Sequence, residues 1–408
     1  MTARMQTKPL RILIGADTYP PDINGAAQFG HRLAAGMRDR GHEVHVVAAR
    51  TSSGPSYEVE IEGITEHRLR SHHPPTHPYY RLCFPWEAQR RVDAILDRIR
   101  PDVVHIQCHY IVGRMLARSC RRRGIRLVAT NHFMPENLEP FLPFPDWFLR
   151  GFSRVSWRDM ERVLGRAEYI TTPTPIGAAS MREHGFGRHV EPVSNGIDAA
   201  AYEPRAGERI ERPEHPVVLF AGRLAVEKNI DVLIKAVARL PEDDGVRLHV
   251  AGTGEIEPTL RELARQEGIE DRVSFLGYVS DEQLRREYLA ADVFCQPGTA
   301  ELQSLVTLEA MSASTPVVLA NALALPHLVR EGGNGYLFRP GDAQDLAEKL
   351  RSVLELPEEE RQRMGRVSHE IARHHSVERT WDTFEAMYRG EYRSDAGRGC
   401  AGSGVGLG

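Results

Sequence analysis

A chain of 408 residues, 41% hydrophobic and 26% charged, has length for two domains at roughly 150 residues each, and each can bury its own core. Fifty-two Lys and Arg against 56 Asp and Glu leave a formal net charge of −4, which excludes a bulk nucleic-acid binder. Five cysteines without a C-x-x-C pair, no apolar run near the roughly 20 residues of a membrane span, and a polar N-terminus lead us to expect a soluble cytoplasmic protein with reduced thiols.

Residues 10–14 form a short apolar run, as a strand buried on both faces does. A loop with Pro20, Pro21, Asn24 and Gly25 follows. Phe29, Leu33, Ala34 and Met37 then recur at helical spacing, Gly41 stops the helix, and 43–48 is the next strand. The loop of such a βαβ unit lies at the carboxyl end of a parallel strand, where open α/β sheets bind ligands. Gly25 there either lets the backbone approach an anion closely or serves as a plain turn glycine. Further strands are predicted at 103–106, 127–130 and 169–172, and His109 and the pair Asn131-His132 sit just past two of them.

His72, His73 and His77 cluster with no acid or Cys at ligand spacing and read as a loop; no metal site is expected. Between 140 and 166, Phe141, Phe144, Trp147, Phe148, Phe152 and Trp157 interleave with Arg150, Arg154, Arg158, Arg162 and Arg166. The four-residue recurrence of Arg lays a basic stripe along one helical face. Arg118, Arg121, Arg122, Arg123 and Arg126 add a second basic cluster. Aromatics beside a basic stripe suit an anionic membrane surface, while a core-packed helix with a solvated face fits the same pattern.

A polar linker is expected at 201–216, and beyond it the pattern restarts: a strand at 217–220, a loop at 221–229, a helix at 230–240, and strands at 247–251, 273–276, 293–296 and 316–319. The expectation is an α/β protein of two doubly wound parallel-sheet domains, 1–200 and 217–375, facing across a cleft. A last helix at 376–392 is expected to pack back on the first domain, with a disordered Gly- and Ser-rich tail at 393–408.

Three motifs cluster in the second domain. Arg223 and Lys228, in the loop Gly222-Arg223-Leu224-Ala225-Val226-Glu227-Lys228-Asn229, can both point at one anion such as a diphosphate, or be two solvated charges. In Glu301-Leu302-Gln303-Ser304-Leu305-Val306-Thr307-Leu308-Glu309 a helix is expected to start near Gln303. Glu301 then lies in the loop, free to accept from sugar hydroxyls, and Glu309 nearly two turns inside, leaning back to hold a ribose diol. The free N–H groups at the helix start, around Ser304 and Leu305, can cradle phosphate. The bland alternative is a capping acid and an exposed helix acid. Gly252-Thr253-Gly254 is equally well explained by a tight turn.

Together these motifs, with Ser194-Asn195-Gly196-Ile197-Asp198 before the linker, resemble the retaining glycosyltransferases of family 4, of GT-B architecture with two Rossmann-like domains, over residues 10–392. The resemblance implies that Arg223 and Lys228 bind the donor diphosphate, Glu301 lies by the donor sugar and Glu309 holds the ribose. It implies that backbone around Val279 reads the base, and that His132 or its neighbour Asn131 meets sugar or acceptor, with His109 beside them. It further implies front-face attack without a committed protein nucleophile, and no bound metal or cofactor. Ser304 and Ser314 stand where the family usually has Gly, and Asn24-Gly25 where a Gly-Gly pair is common. The Glu301-Leu302-Gln303-Ser304-Leu305-Val306 form resembles glycolipid-forming members. The expected function is transfer of a hexose from a UDP- or GDP-sugar to a lipid or glycolipid hydroxyl at an anionic membrane surface, on the inner face of the cell membrane. Nucleic acid is not an expected partner. A soluble acceptor, nucleotide-sugar interconversion and simple nucleotide-sugar binding are the alternatives.

Overall fold

The computed structural model describes residues 8–22, 24–72, 81–135 and 146–394. The backbone divides into two units, one carried by residues up to Val193 and from Thr380 on, the other by Ser194–Arg379.

The first unit runs β1 (Arg11–Ala16), α1 (Gly25–Asp39), β2 (Glu43–Ala49), β3 (Tyr57–Ile61), β4 (Ile64–Leu69), α2 (Pro85–Ile99), β5 (Val103–Ile106), α3 (Ile111–Arg123), β6 (Arg126–Thr130), α4 (Asp146–Leu164), β7 (Tyr169–Thr172), α5 (Pro175–Glu183) and β8 (Val190–Pro192). Its sheet has the order β3-β4-β2-β1-β5-β6-β7-β8, parallel except for β3, which pairs antiparallel with β4. The central strands are apolar because helices cover both faces; all four residues of β5 are buried. β3 is a mostly exposed edge carrying Glu58 and Glu60, charges that discourage pairing with another chain.

The second unit runs β9 (Val217–Ala221), α6 (Ile230–Ala238), β10 (Arg247–Ala251), α7 (Glu257–Gln266), β11 (Val273–Gly277), α8 (Asp281–Ala290), β12 (Val293–Gln296), α9 (Leu305–Ser312), β13 (Val317–Ala320), β14 (Gly335–Phe338), α10 (Ala343–Leu354) and α11 (Glu358–Arg373). Its parallel order, β11-β10-β9-β12-β13-β14, is the doubly wound nucleotide-binding order, with the switch between β9 and β12. Part of the polar stretch read as a linker belongs to this unit: Glu208 pairs with the buried Arg285 of α8, and Arg205 with Glu282 at 2.7 Å.

A last helix, α12 (Val377–Arg389), begins in the second unit and ends in the first. There Phe384 packs on Phe29 (centroids 5.9 Å) and the Tyr388 hydroxyl lies 2.6 Å from His105 Nδ1. Trp381 lies so close to α1 that a Cβ on Gly36 would fall 2.5 Å from its indole nitrogen, so only glycine fits there.

Ser314, a position where family 4 usually has glycine, has φ +61°. That left-handed backbone strains any residue with a Cβ by roughly 1–2 kcal/mol. Ser314→Gly is therefore expected to stabilise the second unit by about 0.5–1 kcal/mol, read as a higher urea midpoint at unchanged slope. An unchanged or lower midpoint counts against strain at this turn.

Candidate active site

At the switch point of the second unit, the loops after β9 and β12 bring together residues far apart in sequence. Lys228 Nζ pairs with Glu301 Oε1, their side chains 22% and 13% exposed. Asn229, at φ +50°, pins the two loops to each other: its Nδ2 donates to Pro297 O (3.4 Å) and Thr299 Oγ1 (3.3 Å). The ammonium and the carboxylate are thus presented by one braced edge.

The other predicted cation is placed differently. Arg223 pairs with Glu227 and lies 3.8 Å from Glu255, and its side chain is 45% exposed. The structure brings Lys228 to Glu301, and it brings Arg223 to two acids that sequence reasoning passed over. An i, i+4 spacing inside the motif was the available signal for Glu227.

Helix α9 begins at Leu305, with Ser304 as N-cap, two residues later than the expected start near Gln303. The cause is Gln303, whose side chain is drawn out of the helix: its Oε1 accepts from Asn195 N (2.8 Å) and its Nε2 donates to Ser194 Oγ (2.8 Å). Glu309 consequently sits just over one turn inside rather than nearly two. It accepts from the buried Tyr288 hydroxyl at 2.9 Å, a partner from α8 that the motif gave no hint of. The Ser304 hydroxyl does not cap α9; it accepts from Thr307 Oγ1 (2.8 Å) and Gln296 Nε2 (3.4 Å). With no side-chain cap, the first-turn N–H groups at Leu305 and beyond stay open to an anion, backed by the helix dipole. Val279 lies half-buried just past the carboxyl end of β11, on this same edge of the sheet.

The carboxyl edge of the first unit carries the remaining candidates. Asn24 caps α1, accepting from Ala27 N at 2.9 Å, which accounts for Asn in a Gly-Gly position. A Cβ on Gly25 would meet nothing within 4 Å, so no packing inside the chain calls for glycine there. His132 Nε2 lies 2.8 Å from Gln107 Oε1, and burial pushes its imidazole down to about 3, so it is neutral near pH 7. Gln107 was not foreseen; its Nε2, like His109 Nδ1, is buried without a hydrogen-bond partner among the described residues. Burial pushes the His109 imidazole down to about 4. Asp17, also unforeseen, accepts from Cys108 Sγ (2.8 Å) and Val112 N (2.9 Å) and so fixes the turn that carries His109. Asn131 is fully buried and engaged: its backbone N–H donates to Thr171 O (2.8 Å) and its Oδ1 accepts from Phe133 N (3.2 Å). It shapes the turn before His132.

His72 Nε2 lies 2.7 Å from Glu87, and His73 and His77 lie outside the described residues. Among the described residues, no three His, Cys, Asp or Glu side chains gather as a metal site requires. On α4, Trp157 is core and stacks on His184 (4.4 Å), whereas Arg150, Arg154, Arg158 and Arg162 are exposed with Trp147 (69%) and Val155 (65%). Phe141 and Phe144 lie outside the described residues. Much of the second basic cluster is neutralised: Arg122 and Arg123 pair with Asp93 at 2.8 Å, and Arg123 also with Asp97. No helix among the described residues is long and apolar enough to cross a membrane.

Two doubly wound sheets, with an acid–base pair and an open helix start at the switch point of the second, are the parts from which GT-B proteins are built. The backbone matches sucrose-phosphate synthase of Thermosynechococcus elongatus with a TM-score of 0.78 at 18% identity, covering 93% of this chain and 98% of that one. In sequence, "Glycosyltransferase Family 4" matches residues 23–201 and "Glycosyl transferases group 1" residues 206–370. D-inositol 3-phosphate glycosyltransferase of Saccharomonospora viridis is 31% identical over 393 residues, 90% of this chain and 89% of its own. GDP-mannose-dependent alpha-(1-6)-phosphatidylinositol dimannoside mannosyltransferase of Mycobacterium tuberculosis is 28% identical over 373 residues, 89% of this chain and 92% of its own. The chain belongs to glycosyltransferase family 4: it is a retaining hexosyltransferase that draws on a nucleotide-sugar donor.

Proposed function

We propose that the enzyme transfers a hexose from a UDP- or GDP-sugar to a hydroxyl of a lipid or glycolipid acceptor at an anionic membrane surface. Lys228, Arg223 and the N–H groups of Ser304 and Leu305 hold the donor diphosphate and stabilise the charge that grows on it as the glycosidic bond breaks. Glu301, paired with Lys228 in the unliganded protein, exchanges that partner for the sugar hydroxyls. Glu309, oriented by Tyr288, takes the ribose, and backbone at Val279 takes the base. In the first unit, Gly25 leaves room for the diphosphate and neutral His132 accepts or donates one hydrogen bond to the sugar. His109 and Asn131 shape the acceptor side. No metal or other cofactor enters this reading.

The observation that carries the lipid acceptor is α4, where four exposed guanidiniums share the helix surface with the exposed Trp147 and Val155. Such a surface gains from anionic headgroups by charge and from the acyl boundary by apolar area. A relative named for a phosphatidylinositol mannoside points the same way. The triple variant Arg154→Glu, Arg158→Glu, Arg162→Glu is expected to lose co-sedimentation with phosphatidylglycerol vesicles and to slow transfer to a vesicle-borne acceptor by at least about tenfold, at roughly 1 kcal/mol per charge near the surface. Donor hydrolysis should be unchanged. Full transfer by the triple variant favours a soluble acceptor.

A further inference from the structure

A cavity of about 540 Å³ opens at the amino ends of β6 and β7, the sheet edge opposite the one that carries His132. Its lining includes four guanidiniums, from Arg121, Arg126, Arg166 and Arg188, and one carboxylate, from Glu168. That carboxylate is taken: Arg126 Nε donates to Glu168 Oε2 at 2.9 Å, while Arg126 Nη1 donates to Tyr388 O at 2.9 Å. Arg188 is spent on main-chain carbonyls, donating to Gly165 O (3.3 Å), Ala167 O and Glu168 O (3.1 Å), which closes the turn after α4. Arg121 and Arg166 are exposed and have no acceptor among the described residues.

Arg122 and Arg123, on the same helix as Arg121, are matched by Asp93 and Asp97. Around the cavity the charges run four to one, and two of the four are anchored by other bonds and cannot swing away. An anion seated between the two free guanidiniums relieves that repulsion. The volume lies within the roughly 300–1,000 Å³ of small-molecule sites. Paired guanidinium forks match phosphate oxygens two at a time.

We propose that this cavity is a second anion site, distinct from the donor site, which binds a phosphate-bearing ligand between Arg121 and Arg166. The phosphate belongs either to a free small molecule or to a phospholipid headgroup, and the test separates the two. Full-length wild type, Arg121→Gln/Arg166→Gln, and Lys228→Ala are titrated with inorganic pyrophosphate by calorimetry. The double variant is expected to lose one binding site, or to weaken it at least about tenfold, whatever Lys228→Ala does to the donor site. The same proteins are sedimented with phosphatidylcholine vesicles with and without phosphatidylglycerol, beside the charge-matched control Arg90→Gln/Arg91→Gln on α2. Weakened vesicle binding in Arg121→Gln/Arg166→Gln alone, with pyrophosphate isotherms unchanged, assigns the phosphate to a headgroup. Both substituted residues are exposed, so circular dichroism should show wild-type melting. Isotherms and vesicle binding equal to wild type and control overturn the site.

Discussion

Lys228→Ala is expected to lower kcat/KM for sugar transfer by about 10³-fold, roughly 4 kcal/mol of transition-state stabilisation, with a wild-type circular dichroism spectrum. The size follows from where the ammonium stands. It is only 22% exposed, braced by the Asn229 bonds to the β12 loop, and held at Glu301 beside the open start of α9. A charge fixed in a partly dry site acts on a developing diphosphate without reorganising first. Lys228→Arg keeps the charge but not the compact ammonium, and should recover only part of the loss. Arg223→Ala should cost less, about 10²-fold, because its guanidinium is 45% exposed and shared with Glu227 and Glu255. Initial rates over a donor titration separate the kcat and KM parts. Near-wild-type rates in both single variants remove the diphosphate assignment.

The features of the fold legible in the sequence were those whose physics is local. Strands such as Val217–Ala221 and Val317–Ala320 stood out because a parallel strand buried on both faces needs an uninterrupted apolar run. The Lys228–Glu301 pair could be placed at one edge because strand-to-helix loops in such sheets gather at the carboxyl end. What stayed hidden was set by partners distant in the chain. Gln303 reads as a helical residue until Ser194 and Asn195 capture its side chain. Tyr288 and Gln107 carry no motif, and only the packing of α8 and the end of β5 brings them to Glu309 and His132. The second arginine cluster looked like a continuous basic surface because Asp93 and Asp97 lie on α2, nearly thirty residues upstream of the arginines they neutralise. Strands β3, β4, β8 and β14 escaped notice: β3 is mostly exposed, β8 is three residues long, Glu66, His67 and Arg68 break the apolar run of β4, and Tyr336 and Leu337 in the middle of β14 are only half-buried.

The second large effect is expected at Gly252, in a Gly-x-Gly that by sequence a tight turn explained equally well. Its φ is +134°, and a Cβ there would fall 1.9 Å from Gly222 O and 2.9 Å from Gly222 C. Neither backbone can retreat cheaply. Gly222 N donates to Ala251 O (3.0 Å), and Gly252 N donates to Gly277 O (2.9 Å), so both are tied into the sheet's carboxyl edge. Strained φ at roughly 1–2 kcal/mol and overpacking at roughly 1–3 kcal/mol put Gly252→Ala near 3 kcal/mol of destabilisation. For a unit of this size that corresponds to a fall in melting temperature of about 6–12 °C. The displaced backbone is the one that carries Arg223, so donor KM should rise even at temperatures where the variant stays folded. Gly25→Ala provides the contrast, since its Cβ meets nothing and melting should stay within about 0.5 kcal/mol of wild type. Equal melting of both variants breaks the link between the Gly252 turn and the donor loop; a large loss at Gly252 alone makes the Gly-x-Gly a packing device that positions the site from beneath rather than a cradle for phosphate.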